Sequence, residues 1–165
     1  MTRHKWIYPL LGTTVLGAAV LSQAGEPTAA VRYQVSAREA PRHLIANGKG
    51  SATLLLNAST GATAASMTLL ELGKGATVPE HVHETSAEIL YIEEGAVEMT
   101  LNGQKMRAER GDALYIPAGA KHSAQVVSEG PMRAVQVYAG PGPEQRFAQG
   151  PRMDKEKAPE KKDGK

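Results

Sequence analysis

Two glycine-bounded stretches decide the fold: Gly75–Gly95, GATVPEHVHETSAEILYIEEG, and Gly111–His122, GDALYIPAGAKH. Three of the five histidines of the chain fall within them. Side chains two residues apart in an extended chain point to the same side, so His81 and His83 should project into one space. Glu88 reaches that space only if the polar residues between it and His83 turn the chain back. The first stretch therefore predicts two imidazoles and a carboxylate that converge.

The second stretch adds a fourth candidate ligand. Pro117 has a fixed φ and Gly119 permits a sharp reversal, so that His122 opens the following strand at a defined position. Three imidazoles and one carboxylate form a donor set that borderline divalent metal ions accept. A His-x-His pair taken alone is more often a surface pair or a buried, hydrogen-bonded pair. The second stretch is what favours a metal site.

Short apolar runs surround both stretches and indicate strands. Several runs alternate apolar with polar residues, and no helical period is long enough to cover a parallel sheet. Asn102-Gly103 predicts a two-residue hairpin turn in which both central residues have positive φ. We therefore predict an all-β domain, an antiparallel barrel or sandwich. Its strands should lie at residues 53–56, 65–72, 88–92, 97–101, 105–108, 113–116, 123–127 and 133–138.

Together the two stretches resemble the cupin family. The first matches that family's pattern G-x5-H-x-H-x4-E-x6-G and the second matches G-x5-P-x-G-x2-H, within a region of residues 51–138. The resemblance implies a single jelly-roll-like cupin β-barrel holding one divalent ion of manganese, iron, nickel, cobalt or zinc. The implied metal ligands are His81, His83, Glu88 and His122.

One position departs from the family's pattern. The second motif of the family often closes with Asn four residues after the histidine, where this chain has Val126. That Asn is commonly structural or lines the pocket. The departure therefore bears on the polarity of the pocket more than on metal binding.

Strand alternation predicts a small, apolar pocket next to these ligands. If Glu88 and His122 point inward and Glu98 faces water, the inward wall follows from the two-residue period. It consists of Leu90, Ile92, Val97, Met99, Ala124 and Val126, all of which can also be ordinary core residues. Such a wall suits a small, partly apolar molecule that binds the metal through oxygen atoms.

No catalytic acid or base is identified by its pattern. Glu80 and Glu84 flank the histidine pair and are weak candidates for that role at the rim of the pocket. Each is more commonly a solvated loop charge.

The resemblance leaves three classes of function open, because function depends on the site and not on the fold. The first is a metal-dependent dioxygenase, lyase or isomerase acting on a small oxygenated molecule. The second is a non-catalytic module that binds or senses a small ligand, and the third is a structural cupin with a closed metal site. Pairing into a homodimer is also implied by the resemblance.

Residues 1–24 have the features of a secretory signal. Arg3, His4 and Lys5 precede an apolar run, and small residues precede a cut expected after Ala24. An uncleaved anchor is the alternative, but the run of about 15 residues is shorter than the ~20 needed to span a bilayer. We expect a periplasmic or secreted protein with no stable membrane insertion after cleavage.

Charge and composition complete the sequence-based assignment. The net charge of +2 resides in the signal segment, and aromatic residues make up only 4% of the chain. Both facts argue against a nucleic-acid partner. We expect residues 25–50 to be a lead-in segment crossing one end of the barrel, residues 51–140 to form the barrel, and residues 141–165 to be a disordered charged tail.

Overall fold

The computed structural model describes residues 30–153. The predicted signal segment and the last part of the predicted tail therefore lie outside the described residues. Between 30 and 153, almost all regular structure is β, which confirms the predicted fold class. The strands are β1 Arg42–Ile45, β2 Gly50–Leu56, β3 Ala65–Leu72, β4 Thr77–His81, β5 Ala87–Glu94, β6 Ala96–Leu101, β7 Gln104–Glu109, β8 Ala113–Ile116, β9 His122–Val126 and β10 Met132–Ala139.

Two antiparallel sheets form the barrel. One has six strands in the order β1-β2-β3-β10-β5-β8, and the other has four in the order β4-β9-β6-β7. The buried apolar side chains of both sheets belong to one cluster, which includes Leu54, Leu72, Ile92, Val97 and Val126. Burial of apolar surface stabilises such a fold by about 25 cal/mol per Å². No helix in the described part of the chain has the length and apolar character required to cross a membrane.

Three short 3-10 helices complete the described regular structure, at Ala46–Gly48, Ala58–Thr60 and Pro143–Gln149. The Asn102-Gly103 turn joins β6 to β7 as predicted, with φ of 47° and 81° at its two residues. Asn and Gly tolerate that left-handed conformation better than other residues, and it matches the twist of a hairpin.

All eight predicted strands are present, but two further strands were not predicted. The segment 25–50, expected only to cross one end of the barrel, contributes β1 to the edge of the six-stranded sheet. Strand β4 forms the edge of the other sheet and contains Pro79. Both edge strands are short and lack a regular apolar alternation, because an edge strand has fewer neighbours to pack against.

The boundary predicted at residue 141 is too early. The 3-10 helix Pro143–Gln149 follows β10, and its Phe147 is buried in the core cluster. Beyond it, Pro151 and Met153 hydrogen-bond to β1, with N···O distances of 2.9 and 2.8 Å. The sequence interpretation gave too little weight to Phe147, which supplies the apolar anchor. Residues 143–153 are called the strap below.

The carboxylate of Glu144 fixes the start of the strap. Its Oε2 accepts hydrogen bonds from Ser66 Oγ at 2.9 Å and from the Gly142 amide at 2.7 Å. Glu144 is 1% exposed. Since a buried carboxylate is costly unless it is hydrogen-bonded, these contacts hold the first turn of the strap against the barrel.

Candidate metal centre

The structure brings the four predicted ligands together. One potential ligand atom from each of His81, His83, Glu88 and His122 lies within 4.8 Å of all the others. His81 ends β4 and lies opposite His122, which begins β9. Their ring centroids are 4.1 Å apart. Glu88 reaches the cluster from β5 in the other sheet, after a bend in the chain that the sequence predicted.

Local backbone features set this alignment. The pairing of β4 with β9 shifts register between Val78 and His81, and Pro79 lies in that irregular segment. Proline has no amide N–H to donate and is tolerated at such an irregularity in an edge strand. The Gly119 amide donates to the carbonyl of His83 at 2.9 Å, which ties the Pro-Gly turn before His122 to the histidine pair.

Backbone carbonyls select the tautomer of two of the histidines. His81 Nδ1 lies 2.8 Å from the carbonyl oxygen of Pro79, and His122 Nδ1 lies 2.9 Å from that of Ala120. Because a carbonyl oxygen only accepts, each Nδ1 carries the proton, and the Nε2 atom of the neutral ring carries the lone pair. Nε2 is therefore the atom that each ring offers to a metal ion.

The contacts between the histidine Nε2 atoms and the carboxylate of Glu88 require a cation. His83 Nε2 and His122 Nε2 lie 3.1 and 3.2 Å from the same oxygen, Glu88 Oε2. A lone pair on His122 Nε2 would repel that oxygen unless a proton or a metal ion lies between them. His81 Nε2 is buried and has no hydrogen-bond partner among the described residues. One divalent ion would satisfy all of these atoms, so the residues fit a metal site.

Metal binding needs an ionised carboxylate and neutral imidazoles, and the surroundings of the cluster favour these states for Glu88 and His81. Burial raises the pKa of Glu88, but hydrogen bonds from His122, His83 and Gln136 outweigh burial and lower that pKa to about 2. Burial lowers the pKa of His81, which favours its neutral form. Burial also lowers the pKa of His122, yet the hydrogen bonds to Glu88 and Ala120 outweigh it and raise the pKa overall. His122 therefore retains a proton more strongly than His81 does.

Two residues on β10 support the cluster and were not predicted. Gln136 Nε2 donates to Glu88 Oε1 at 2.5 Å and to the hydroxyl of Tyr138 at 2.9 Å. Hydrogen bonds of this kind orient the ligand of a metal. Burial, followed by the charge of Glu88, raises the pKa of Tyr138, which therefore stays neutral. The alternation along β10 was the available signal, since it places polar Gln136 on the inner face.

A cavity of about 360 Å³ adjoins the cluster. His81, Glu88 and His122 form part of its wall, and apolar side chains form most of the rest. Four of the six predicted wall residues line it, namely Leu90, Val97, Met99 and Ala124. Four residues that were not predicted lie on β1, in the helix after it and in the strap, namely Ile45, Ala46, Arg146 and Phe147.

Ile92 and Val126 were predicted wrongly as cavity residues. They are 0% and 3% exposed and belong to the core, outside the cavity lining. Each is four residues beyond a ligand on its strand, a distance of about 13 Å. Alternation gives the face on which a side chain lies but not its depth. Since Val126 is in the core, the missing Asn of the family's motif does not change the polarity of the cavity.

The two candidate acid–base residues have different positions. Glu80 lines the cavity and is exposed at its rim. Glu84 is exposed and is not part of the cavity lining. Only Glu80 is therefore placed to exchange a proton with a molecule in the cavity.

Two antiparallel sheets enclosing three histidines and a glutamate define a metal-site β-barrel, and comparison with known proteins identifies its family. The family model for the cupin domain matches residues 68–138. The chain is 34% identical over 112 residues to the tetracenomycin polyketide synthase protein TcmJ of Streptomyces glaucescens, covering 67% of this chain and 74% of that protein. The chain belongs to the cupin superfamily.

Further similarities agree with this. Quercetin 2,3-dioxygenase of Bacillus subtilis is 32% identical over 102 residues, which cover 62% of this chain but only 30% of that protein. A predicted oxalate decarboxylase from Thermotoga maritima superposes with a TM-score of 0.59 at 24% identity, covering 64% of this chain and 96% of that one. An RmlC-like cupin from Shewanella frigidimarina superposes with a TM-score of 0.58 at 17% identity, covering 70% of this chain and 96% of that one. At these identities the two structures show the fold alone.

Proposed function

We propose that this chain is an exported mononuclear metal-binding cupin that acts on a small oxygenated molecule as a metal-dependent dioxygenase, lyase or isomerase. One observation carries the proposal: the Nε2 atoms and carboxylate that call for a cation also form part of the wall of an apolar cavity. A ligand in that cavity would meet the metal directly. The similarity to a protein named quercetin 2,3-dioxygenase supports the oxygenase class among the three.

The metal-binding residues would be His81, His83, Glu88 and His122. A bound ion supplies Lewis acidity and, with four protein ligands, one or two open coordination positions. The chain itself contributes Gln136, which holds Glu88 in place, and an apolar wall that excludes water. Glu80 at the rim is the residue placed to accept or return a proton of the substrate.

Non-catalytic binding of a small ligand is the alternative. It is favoured by the scarcity of further reactive groups: besides the metal-ligand residues, the charged side chains in the cavity lining are Glu80 and Arg146. A closed structural metal site has less support, since the ligand cluster is open to the cavity.

Metal content tests the proposal first. The full chain, produced without a histidine tag, and the double variant His81→Ala/His122→Ala would be analysed by elemental mass spectrometry. We expect about one equivalent of divalent metal in the parent and loss of that metal in the variant. A parent that binds none after incubation with manganese, iron, nickel, cobalt and zinc contradicts the proposal. Oxygen uptake with the loaded protein then separates dioxygenase from lyase and isomerase.

Export rests on the sequence of residues 1–24 and has its own test. The chain expressed in a Gram-negative bacterium should be recovered from the periplasm, and its mass should show an N-terminus at Gly25. Retention of residues 1–24 in a membrane fraction would favour the anchor instead.

We further propose that the chain forms a homodimer through the outer face of the six-stranded sheet. Ile89, Tyr91 and Tyr115 are 39%, 49% and 63% exposed, and Ile89 pairs directly with Tyr115 across β5 and β8. Neighbouring exposed apolar residues of this size favour an interface. Light scattering should give twice the mass of one chain, and Tyr91→Glu/Tyr115→Glu should give a monomer, whereas Gln104→Glu on the other sheet should not. A monomeric parent overturns this proposal.

A further inference from the structure

The strap carries a cationic side chain into the cavity beside the metal centre. Arg146 lies between two buried residues of the strap, Glu144 at 1% exposure and Phe147 at 8%. Its guanidinium carbon is 5.0 Å from the centre of the Phe147 ring. Arg146 itself is half-buried and lines the cavity. Its position is therefore fixed by anchors on both sides.

The guanidinium of Arg146 has few partners within the described part of the chain. No described residue forms an ion pair with it. Its one hydrogen bond to a described residue runs from Nη2 to the hydroxyl of Tyr138, at 3.1 Å. A guanidinium has five N–H donors in a planar fork that suits a carboxylate, so most of its donors are available to a ligand.

Charge balance in the cavity favours an anion. Glu88 is ionised, and a divalent ion held by it and the three histidines would leave an excess of positive charge that Arg146 increases. Glu80 is the acidic residue that lines the cavity outside the cluster, and it is exposed to water at the rim. An unbalanced positive charge next to an apolar wall is unfavourable, and an anionic ligand reduces the imbalance.

We propose that the molecule bound in this cavity is a small organic carboxylate, whose anionic end is recognised by Arg146. The proposal deepens the function proposed above and rests on it for the metal centre that borders the same cavity. The body of the ligand would pack against the apolar wall, which includes Leu90 and Met99. Arg146 lies outside residues 68–138, which the family model matches.

Calorimetry with two matched probes tests this. Hexanoate and hexanamide have the same carbon skeleton and differ in charge at one end. They would be titrated into the full chain, metal-free and manganese-loaded, in a buffer free of small carboxylates. We expect at least tenfold tighter binding of hexanoate to the parent, less than a twofold preference in Arg146→Gln, and a partial preference in Arg146→Lys.

Arg107→Gln is the matched control, since Arg107 is an exposed arginine on β7 and should leave the preference unchanged. Equal binding of acid and amide by the parent, a preference that survives in Arg146→Gln, or no binding of hexanoate overturns the proposal. Metal content measured on the same samples tells the two proposals apart. A parent without metal that still prefers hexanoate through Arg146 contradicts the metal centre but not the carboxylate site.

Discussion

His81 and His122 each form the same local hydrogen bond, in which the ring Nδ1–H donates to the carbonyl oxygen two residues earlier in the chain. Each contact stays within three residues, so the direction of both Nε2 atoms is set by local backbone geometry and not by distant packing. Glu88 makes no such contact within its own segment, and apart from the histidines its hydrogen-bond donor is Gln136 of β10. A single substitution at Gln136 should therefore shift the carboxylate more than it shifts the rings of His81 and His122.

Replacing Gln136 by Leu should weaken metal binding by about 10- to 100-fold, because Glu88 loses the hydrogen bond that orients it. Competition with a fluorescent chelator measures the affinity. Gln125→Leu is the control, since Gln125 is an exposed residue of β9. Unchanged affinity in Gln136→Leu would show that Glu88 is held by other contacts.

Metal affinity should fall as the pH falls. In the metal-free protein the pKa of His122 is raised above 6.5, because its hydrogen bonds to Glu88 and Ala120 outweigh its burial. Below that raised pKa a proton occupies the space between His122 and Glu88, and a metal ion has to displace it. We expect up to a tenfold loss of affinity per pH unit on the acid side, with one proton released on binding. Chelator competition between pH 5.5 and 8.5 that gives a flat profile would contradict this.

At the scale of elements, the strap is the part whose stability can be tested most directly. A Cβ added at Gly150 would lie 2.1 Å from the carbonyl oxygen of Leu44 in β1, although the φ of Gly150 is an ordinary −73°. Gly150→Ala should therefore cost about 1–3 kcal/mol through overpacking. Gly130 has open space around it, and Gly130→Ala is the control.

The free energies of unfolding of both variants would be compared by urea denaturation. Hydrogen exchange should quicken in the strap and β1 of Gly150→Ala and not in Gly130→Ala. Equal stability of the two would mean that the strap does not pack against β1 in solution.

The sequence predicted eight of the ten described strands, the hairpin turn at Asn102-Gly103 and the convergence of all four candidate ligands. These features depend on local signals, namely alternation, turn residues and the spacing of motifs. Strands β1 and β4 were missed because edge strands have weak alternation. Arg146 was missed because its position depends on the packing of the strap against β1, a contact between the two ends of the described chain that no local pattern encodes.

Across the whole molecule, the candidate metal site links the two sheets. His81 and His122 belong to the four-stranded sheet, and Glu88 belongs to the six-stranded sheet. A bound ion would therefore cross-link both layers of the barrel, and unfolding would have to break that link.

Metal should stabilise the fold for this reason. At a free metal concentration of 100 times Kd, binding adds about 2.7 kcal/mol to the free energy of unfolding. We expect a rise in Tm of about 5–15 °C on loading the metal-free protein and its reversal by a chelator, measured by calorimetry. The variant His81→Ala/His122→Ala should show no metal-dependent change. An equal rise in that variant would place the metal elsewhere.

The position of Arg146 in the chain has a consequence for how ligand selectivity could be altered. The candidate metal ligands lie within the segment that the family model matches, whereas Arg146 lies in a short stretch after the last strand. Exchange of the strap alone could thus change which ligand is bound while the candidate metal centre stays the same. In a grafting experiment, or during the divergence of related genes, ligand selectivity could change through exchange of this one segment.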